Sequence, residues 1–320
     1  MNFIPKQIRK ILKNIDQTIT NTYTKAGYPL LPITQHLREP LRWYYHQSPW
    51  LRHDNQLYWK PFFLNRIHSL FVVEHPDDFL VYHEQIKFRS FGSLMSTQAY
   101  YVGEIEFHLV QYVVSQICPD FVMLDVGAHH GIYTLIVAYE LKKRGWKGTI
   151  HCFEPDPQNF ALLSHNVREN GLEDYAILHN QAVADTIGKQ QFLSSNDNSG
   201  NFLIEGSEEY IDNGKIPTQE VDVTTLDTWH NQLSHVNLIK MDIQGGEPLA
   251  LKGAANIIKQ YKPNIVVEAV PGWSSTPKTT QILEEYGYSI YGVTKEGKTC
   301  NLGSSEVFVS WDWVALPNHL

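Results

Sequence analysis

From about Gly103 onward the sequence predicts an α/β fold, a mostly parallel sheet covered by helices on both faces. Two observations carry this expectation. Short apolar runs rich in Val, Ile and Phe recur between segments of helical periodicity, and one of them, Val122–Val126, runs into a glycine turn and a helix start. A third observation sets the first part of the chain aside. Residues 1–75 hold ten Lys/Arg against four Asp/Glu, a net of +6, whereas the remaining residues hold sixteen against thirty, a net of −14. The expected division is an extension over 1–102 and an α/β domain over 103–320.

Within the extension, Phe3, Ile4, Ile8, Ile11, Leu12, Ile15 and Ile19 fall near helical spacing with Lys6, Arg9, Lys10 and Lys13 between them, which is a basic amphipathic helix. Such a helix docks on its own domain or a second subunit, as in a homodimer, or lies in a membrane interface. Pro29, Pro32 and Pro40 mark a connecting segment. Trp43, Tyr44, Tyr45, Trp50, Tyr58, Trp59, Phe62 and Phe63 follow among Arg42, Arg52 and Arg66; this composition either packs as a cap or stacks on flat ligands. Residues 70–73 and 79–82 have β-forming composition.

In the α/β domain, strands are expected at 121–126, 149–154, 175–180, 236–242 and 263–269, and helices at 104–117, 131–144, 157–171, 246–260 and 276–287. A final strand pair is expected at 288–293 and 306–315. The stretch 194–216, with Ser194-Ser195-Asn196-Asp197-Asn198-Ser199-Gly200 and then acidic residues, reads as an excursion from the sheet, either a lid or a plain surface loop.

Composition narrows the function classes. At 320 residues and 42% hydrophobic content the chain can build a sizeable core. It has no apolar run of the ~18 residues a membrane span requires. Cys118, Cys152 and Cys300 are few and far apart, which excludes a disulfide framework and a Cys-x-x-Cys zinc site. The overall charge of −8 argues against nucleic-acid coating, and the cytoplasm is the expected location.

The chemistry is expected at Asp125-Val126-Gly127-Ala128-His129-His130-Gly131. A glycine turn between strand and helix lets backbone approach a nucleotide cofactor, and the helix start offers free N–H groups. The spacing is Gly-x-x-x-Gly, with His129 on the middle glycine of the dinucleotide fingerprint, which weakens a pyrophosphate cradle. A second strand ends at Glu154, 23 residues after Gly131, where a carboxylate can grip a ribose diol.

Several blocks then occur in order: Leu124-Asp125-Val126-Gly127-Ala128 with Gly131; Phe153-Glu154-Pro155 with Asn159, Leu163, Asn166 and Asn170; Asn180-Gln181-Ala182-Val183; Thr225-Leu226-Asp227; Ile239-Lys240-Met241-Asp242-Ile243-Gln244-Gly245-Gly246-Glu247 with Leu251-Lys252-Gly253-Ala254; and Lys262-Pro263 with Glu268. Over about residues 103–268 this set resembles the FkbM family of S-adenosylmethionine-dependent methyltransferases. The resemblance implies a Rossmann-like class I methyltransferase fold with seven strands, the last reversed, and S-adenosyl-L-methionine as cofactor. It implies Asp125, Gly127, Ala128 and Gly131 around the methionine part, Glu154 on the ribose, Asn180 and Ala182 beside the adenine, and Asp242 at the junction of sulfonium and substrate; His129, in the same turn, is a further cofactor-binding candidate. It also implies methyl transfer, with hydroxyls of sugars, glycans, polyketides or other secondary metabolites as acceptors.

The family commonly has Asn where His129 stands, and Asp-x-Glu-Gly-x-Glu where this chain places Gln244 and Gly246. A hydroxyl nucleophile must lose its proton, and His129, His130, Asp242, Glu247 and Glu268 are the candidates to take it. Asp242 is favoured, then His130, whose side chain titrates near neutrality. Asp242, Glu247 and Glu268 have oxygens that suit Mg²⁺, but acids at strand ends also serve as a hydrogen-bonded shell, so no metal is expected. Two other readings remain: a scaffold that keeps the fold without turnover, motivated by Gln244 and Gly246, and a nicotinamide oxidoreductase, motivated by the glycine turn and Glu154.

Overall fold

The computed structural model describes residues 78–90, 99–100, 103, 105–193, 202–203, 218–307 and 311–318. The expected amphipathic helix, the aromatic stretch and the strand at 70–73 lie outside them, as does most of 194–216.

The central sheet is built outward from β3 (Phe121–Val126), whose six residues are all buried. A continuous apolar run with both faces covered is what a parallel central strand requires. On one side β3 pairs in parallel with β4 (Gly148–Phe153), and β4 with β5 (Ala176–His179). On the other side it pairs with β10 (Leu238–Met241), and β10 with β11 (Asn264–Glu268). Beyond β11 comes β14 (Asp312–Pro317), antiparallel to both β11 and β12 (Tyr288–Val293), and then a short edge strand, β13 (Thr299–Asn301). Seven strands follow the expected plan with the last one reversed, and β13 is an eighth. The strand expected at 306–315 is displaced: among the described residues its pairing starts at Asp312 and continues to Pro317, and β13 lies ahead of the expected run.

Helices cover both faces. On one, α1 (Phe107–Gln116), α2 (Ile132–Arg144) and α3 (Pro157–Glu169) contribute Leu109, Val113, Leu135, Leu141, Leu163 and Val167 to a single apolar cluster. Each end has a local cause. Asp156 caps α3 by accepting from the amides of Gln158 and Asn159, ahead of Pro157. Gly145 ends α2 in the left-handed region after Lys142, Lys143 and Arg144, whose charges suit a helix C-terminus.

On the other face lie α4 (Glu247–Lys252), α5 (Ala255–Tyr261) and α6 (Ser275–Glu285), with Leu251, Ile257, Ile258 and Leu283 in the core. The helix expected over 246–260 is thus two. Gly253 sits at the break, where a Cβ would land on the carbonyl oxygen of Ala184. The Asp227 carboxylate then accepts from the amides of Asn256 and Ile257 (both 3.0 Å) and opens α5.

The connection from β5 to β10 is not a helix but a second sheet of β6 (Ala182–Val183), β7 (Gly188–Leu193), β8 (Phe202–Leu203) and β9 (Thr218–Thr224), in the order β6-β9-β7-β8. The expected excursion therefore springs from paired strands. Its small core is Ala182, Ala184, Phe192, Val221 and Val223.

Ahead of the domain, β1 (Phe79–Val81) and β2 (Ile86–Phe88) form a hairpin. Phe79, Val81, Ile86 and Phe88 are buried in the same cluster as α1–α3.

Candidate active site

The C-terminal ends of β3, β4 and β10 converge on the glycine turn. After β3 the chain is strapped to its neighbours: the Gly127 and Ala128 amides both donate to the Phe153 carbonyl (3.0 Å each), and the Asp242 amide donates to the Val126 carbonyl (3.1 Å). Gly127 has φ +78°, and a Cβ there would strike the Asp242 backbone carbonyl, so only glycine lets the two strand ends approach this closely. His129, at φ +52°, also occupies the left-handed region, which Asn and His enter more readily than most residues. Gly131 donates to the Ala128 carbonyl (2.8 Å) and starts α2.

Glu154 is 4% exposed and accepts the amides of His129 (2.8 Å) and Asp156 (2.9 Å). Burial pushes its carboxyl up to about 7. Asn180 closes the turn after β5, donating to the carbonyls of Glu154 (2.8 Å) and Pro155 (3.1 Å). Ala182 is buried at the start of β6.

A cleft beside the turn is lined by Asp125, Gly127, Ala128, His129, His130 and Asp242, together with Phe88, Glu106, Ile132, Tyr133 and Lys240. Six expected residues therefore meet there. Gly131, Glu154, Asn180 and Ala182 do not line that cleft, although Glu154 is tied to it through the His129 amide. Lys240, Tyr133 and Glu106 were not anticipated. Lys240 had a signal in the sequence: it is the one charge in the otherwise apolar, fully buried strand Leu238–Met241.

Lys240 is 3% exposed, and its Nζ donates to Asp242 Oδ2 at 2.9 Å. The same Nζ lies 4.9 Å from the centre of the Tyr133 ring, and the Tyr133 hydroxyl donates to Glu106 at 2.5 Å. Burial alone would discharge this lysine, but Asp242, Glu106, Asp312 and Asp125 outweigh it and hold the ammonium protonated. Burial likewise works to raise Asp242, and Lys240 overcomes it, so that carboxyl lies below its ordinary range and is ionised at neutrality. Gln244 donates to Asp242 Oδ1 (3.1 Å) and to both oxygens of Glu268 (3.2 and 3.0 Å). Burial, and then Asp242 and Glu247, push Glu268 up to about 11, so it carries a proton. Glu247 is buried, accepts the Ile243 amide (2.9 Å) and is raised by burial to about 7.

His130 is placed differently from the expectation of a proton acceptor. Its Nδ1 is 2.7 Å from Ser90 Oγ and its Nε2 is 3.1 Å from Asn159 Oδ1, so both ring nitrogens are engaged inside the protein. It is 1% exposed, and burial lowers its pKa well below the ordinary value. The His129 ring stacks on it at 3.7 Å.

Asp125 accepts from Thr134 Oγ1 through Oδ2 (2.6 Å), while its buried Oδ1 has no protein partner. Among the described residues no group of three or more His, Cys, Asp or Glu side chains could hold a metal ion, and no helix is long and apolar enough to cross a membrane.

A mostly parallel sheet whose last strand in the chain, β14, runs reversed between β11 and β12, carrying a glycine turn and an acid at its strand ends, defines a class I methyltransferase fold. Residues 125–290 match the family model described as the methyltransferase FkbM domain, and the chain belongs to that family. Its cofactor is S-adenosyl-L-methionine. Among solved structures it is similar to an FkbM methyltransferase from Methylobacillus flagellatus, with 19% identity, 62% of this chain and 44% of that chain covered, and a TM-score of 0.39. The match thus spans less than half the length of that protein. It is also similar to an O-methyltransferase from Bacillus cereus solved in complex with SAH (11% identity, 67% and 83% covered, TM-score 0.37). A third likeness is to a precorrin-6y C5,15-methyltransferase from Geobacter metallireducens (14% identity, 64% and 84% covered, TM-score 0.38). No curated protein matches the chain.

Proposed function

We propose that the protein transfers the methyl group of S-adenosyl-L-methionine to a hydroxyl oxygen of a small-molecule or glycan acceptor, in the class of sugars, polyketides and related secondary metabolites, with Asp242 receiving the hydroxyl proton. The observation that supports this reading is the Asp242 carboxylate, ionised beside Lys240 and lining the same cleft as the glycine turn. When bound, the cofactor supplies a methyl group on a sulfonium, which is an already activated leaving group.

The chain's own residues then have two tasks. The first is alignment, which contributes as much as ~7–11 kcal/mol in well-oriented reactions. Here Asp125, whose Oδ1 has no protein partner, would hold the methionine part together with Gly127, Ala128, His129 and Gly131, Glu154 would hold the ribose, and Asn180 and Ala182 would border the adenine. The second task is proton acceptance, typically worth ~10²–10⁴-fold. Lys240 and Gln244 hold the two oxygens of Asp242 and fix its direction, and Lys240 keeps it charged. Glu268 is protonated and is a hydrogen-bonding wall rather than a base.

Calorimetric titration with S-adenosylhomocysteine tests the pocket: binding is expected in the native protein and its loss in Glu154→Ala. Turnover on a panel of hydroxylated acceptors tests the rest. Asp242→Asn is expected to lower kcat by ~10²–10⁴-fold with S-adenosylhomocysteine affinity retained. Native turnover on amine acceptors alone would refute the choice of oxygen.

A further inference from the structure

Four buried residues form one hydrogen-bonded chain that reaches from the N-terminal segment to Glu154. Ser90, His130 and Asn159 are each 1% exposed, and Glu154 is 4% exposed. The links are Ser90 Oγ to His130 Nδ1 (2.7 Å), His130 Nε2 to Asn159 Oδ1 (3.1 Å) and Asn159 Nδ2 to Glu154 Oε1 (3.5 Å). Their direction follows from the ends. Asn159 donates to a carboxylate through Nδ2, so its Oδ1 accepts, His130 Nε2 carries the proton, and Nδ1 accepts from the Ser90 hydroxyl. Every link donates toward Glu154, so each strengthens the next in a low-dielectric interior.

The segment that carries Ser90 is held by two asparagines about one turn apart, Asn166 in α3 and Asn170 at its C-terminal cap. Asn166 Oδ1 accepts the Arg89 amide (2.7 Å) while its Nδ2 donates to the Arg89 carbonyl (3.0 Å). Asn170 does the same for Lys87, at 2.9 and 2.7 Å. These side-chain amides take the place that a neighbouring strand's peptides would occupy beside β2. Asn166 Nδ2 also donates to the His130 carbonyl (2.8 Å), so α3 fixes both the strand and the histidine.

We propose that Ser90, acting through His130 and Asn159, is a positioning residue for Glu154, so that the segment following β2, which lies outside the matched family region, completes the cofactor site by orienting its ribose ligand. This rests on the reading of Glu154 as the ribose ligand. Around that carboxylate, Asp156 is the negative neighbour; the amides of Asp156 and His129 donate to it, and the His130 imidazole acts through Asn159. From β5 the His179 carbonyl accepts the Glu154 amide, while the His179 ring stacks on Phe153 and His151. A carboxylate accepts two diol hydroxyls only when ionised, so affinity rises as pH rises through about 7 in the native protein. The Asn159 amide favours the ionised form, and its removal moves that rise to higher pH.

The test is calorimetric titration of the full chain with S-adenosylhomocysteine on both sides of neutrality. Asn159→Ala is expected to weaken binding roughly tenfold below the rise and to shift the rise upward. Ser90→Ala, a milder change, is expected to shift it in the same direction by less, and Ser90→Thr, which keeps the hydroxyl, to restore the native profile. Native affinity and profile in both Ser90→Ala and Asn159→Ala, with binding abolished in Glu154→Ala, would overturn the positioning role and leave the ribose reading intact. Undiminished binding in Glu154→Ala would overturn both.

Discussion

Gln244 differs from glutamate by one nitrogen, and that nitrogen joins Asp242 to Glu268. With the amide in place, the site needs one proton on Glu268 and one charge on Asp242, which Lys240 balances. Gln244→Glu would replace the donor with a third carboxyl facing two others. That carboxyl's folded pKa would lie above its unfolded value, so the folded variant binds the extra proton and loses stability as pH rises out of the ordinary carboxylate range. Thermal unfolding should find the variant close to native in mild acid and less stable by about 1–3 kcal/mol above neutrality. A constant gap across pH would refute the bridge. The place of Asp242 beside the glycine turn was legible in the sequence because it ends an apolar strand inside a block that resembles the family's. The place of His130 was not, because Ser90 lies 40 residues away in the chain and only the fold brings them together.

The parallel strands of the central sheet announce themselves as mostly apolar runs, and their bounds agree with the expected ones to within two residues, whereas β14 starts six residues later than expected and β13 is unannounced. β7 and β9 do not announce themselves in this way. They read Gly-Lys-Gln-Gln-Phe-Leu and Thr-Gln-Glu-Val-Asp-Val-Thr, with only two apolar side chains in each strand among more numerous polar ones and a core of only five residues. Periodicity also misled at Gly253, where an unbroken helical pattern covers two helices. The cause is tertiary: the chain must leave room for the Ala184 carbonyl at the start of the second sheet. Gly253→Ala should therefore push β6 away from α4 and cost about 1–3 kcal/mol, as overpacking does. The check is unfolding by denaturant, with amide exchange at Ala184, whose N–H donates to Thr224, accelerated in the variant. Unchanged protection at Ala184 would argue that the contact relaxes freely.

Composition suggested a boundary near residue 102, because the charge balance changes ahead of it and the family resemblance begins there. Burial argues that the folding unit begins earlier. Phe79, Val81, Ile86 and Phe88 are 5%, 1%, 0% and 1% exposed and belong to the cluster formed by α1, α2 and β3. Burying such side chains contributes roughly 1.5–3 kcal/mol each. Four of them together are comparable to the whole stability of an ordinary domain, about 5–15 kcal/mol. Phe88 also lines the cleft beside Gly127, so the hairpin bears on stability and on the site at once. A chain cut to 103–320 should expose the apolar face of α1 and α2, aggregate or lose its cooperative unfolding transition, and fail to bind S-adenosylhomocysteine. A cooperative transition at the native temperature in the shortened chain would return the boundary to residue 102 and make the hairpin an appendage. Charge patterning could not have located this boundary, because it reports which residues face water, whereas the hairpin joins the domain through four side chains at alternating positions along two three-residue strands.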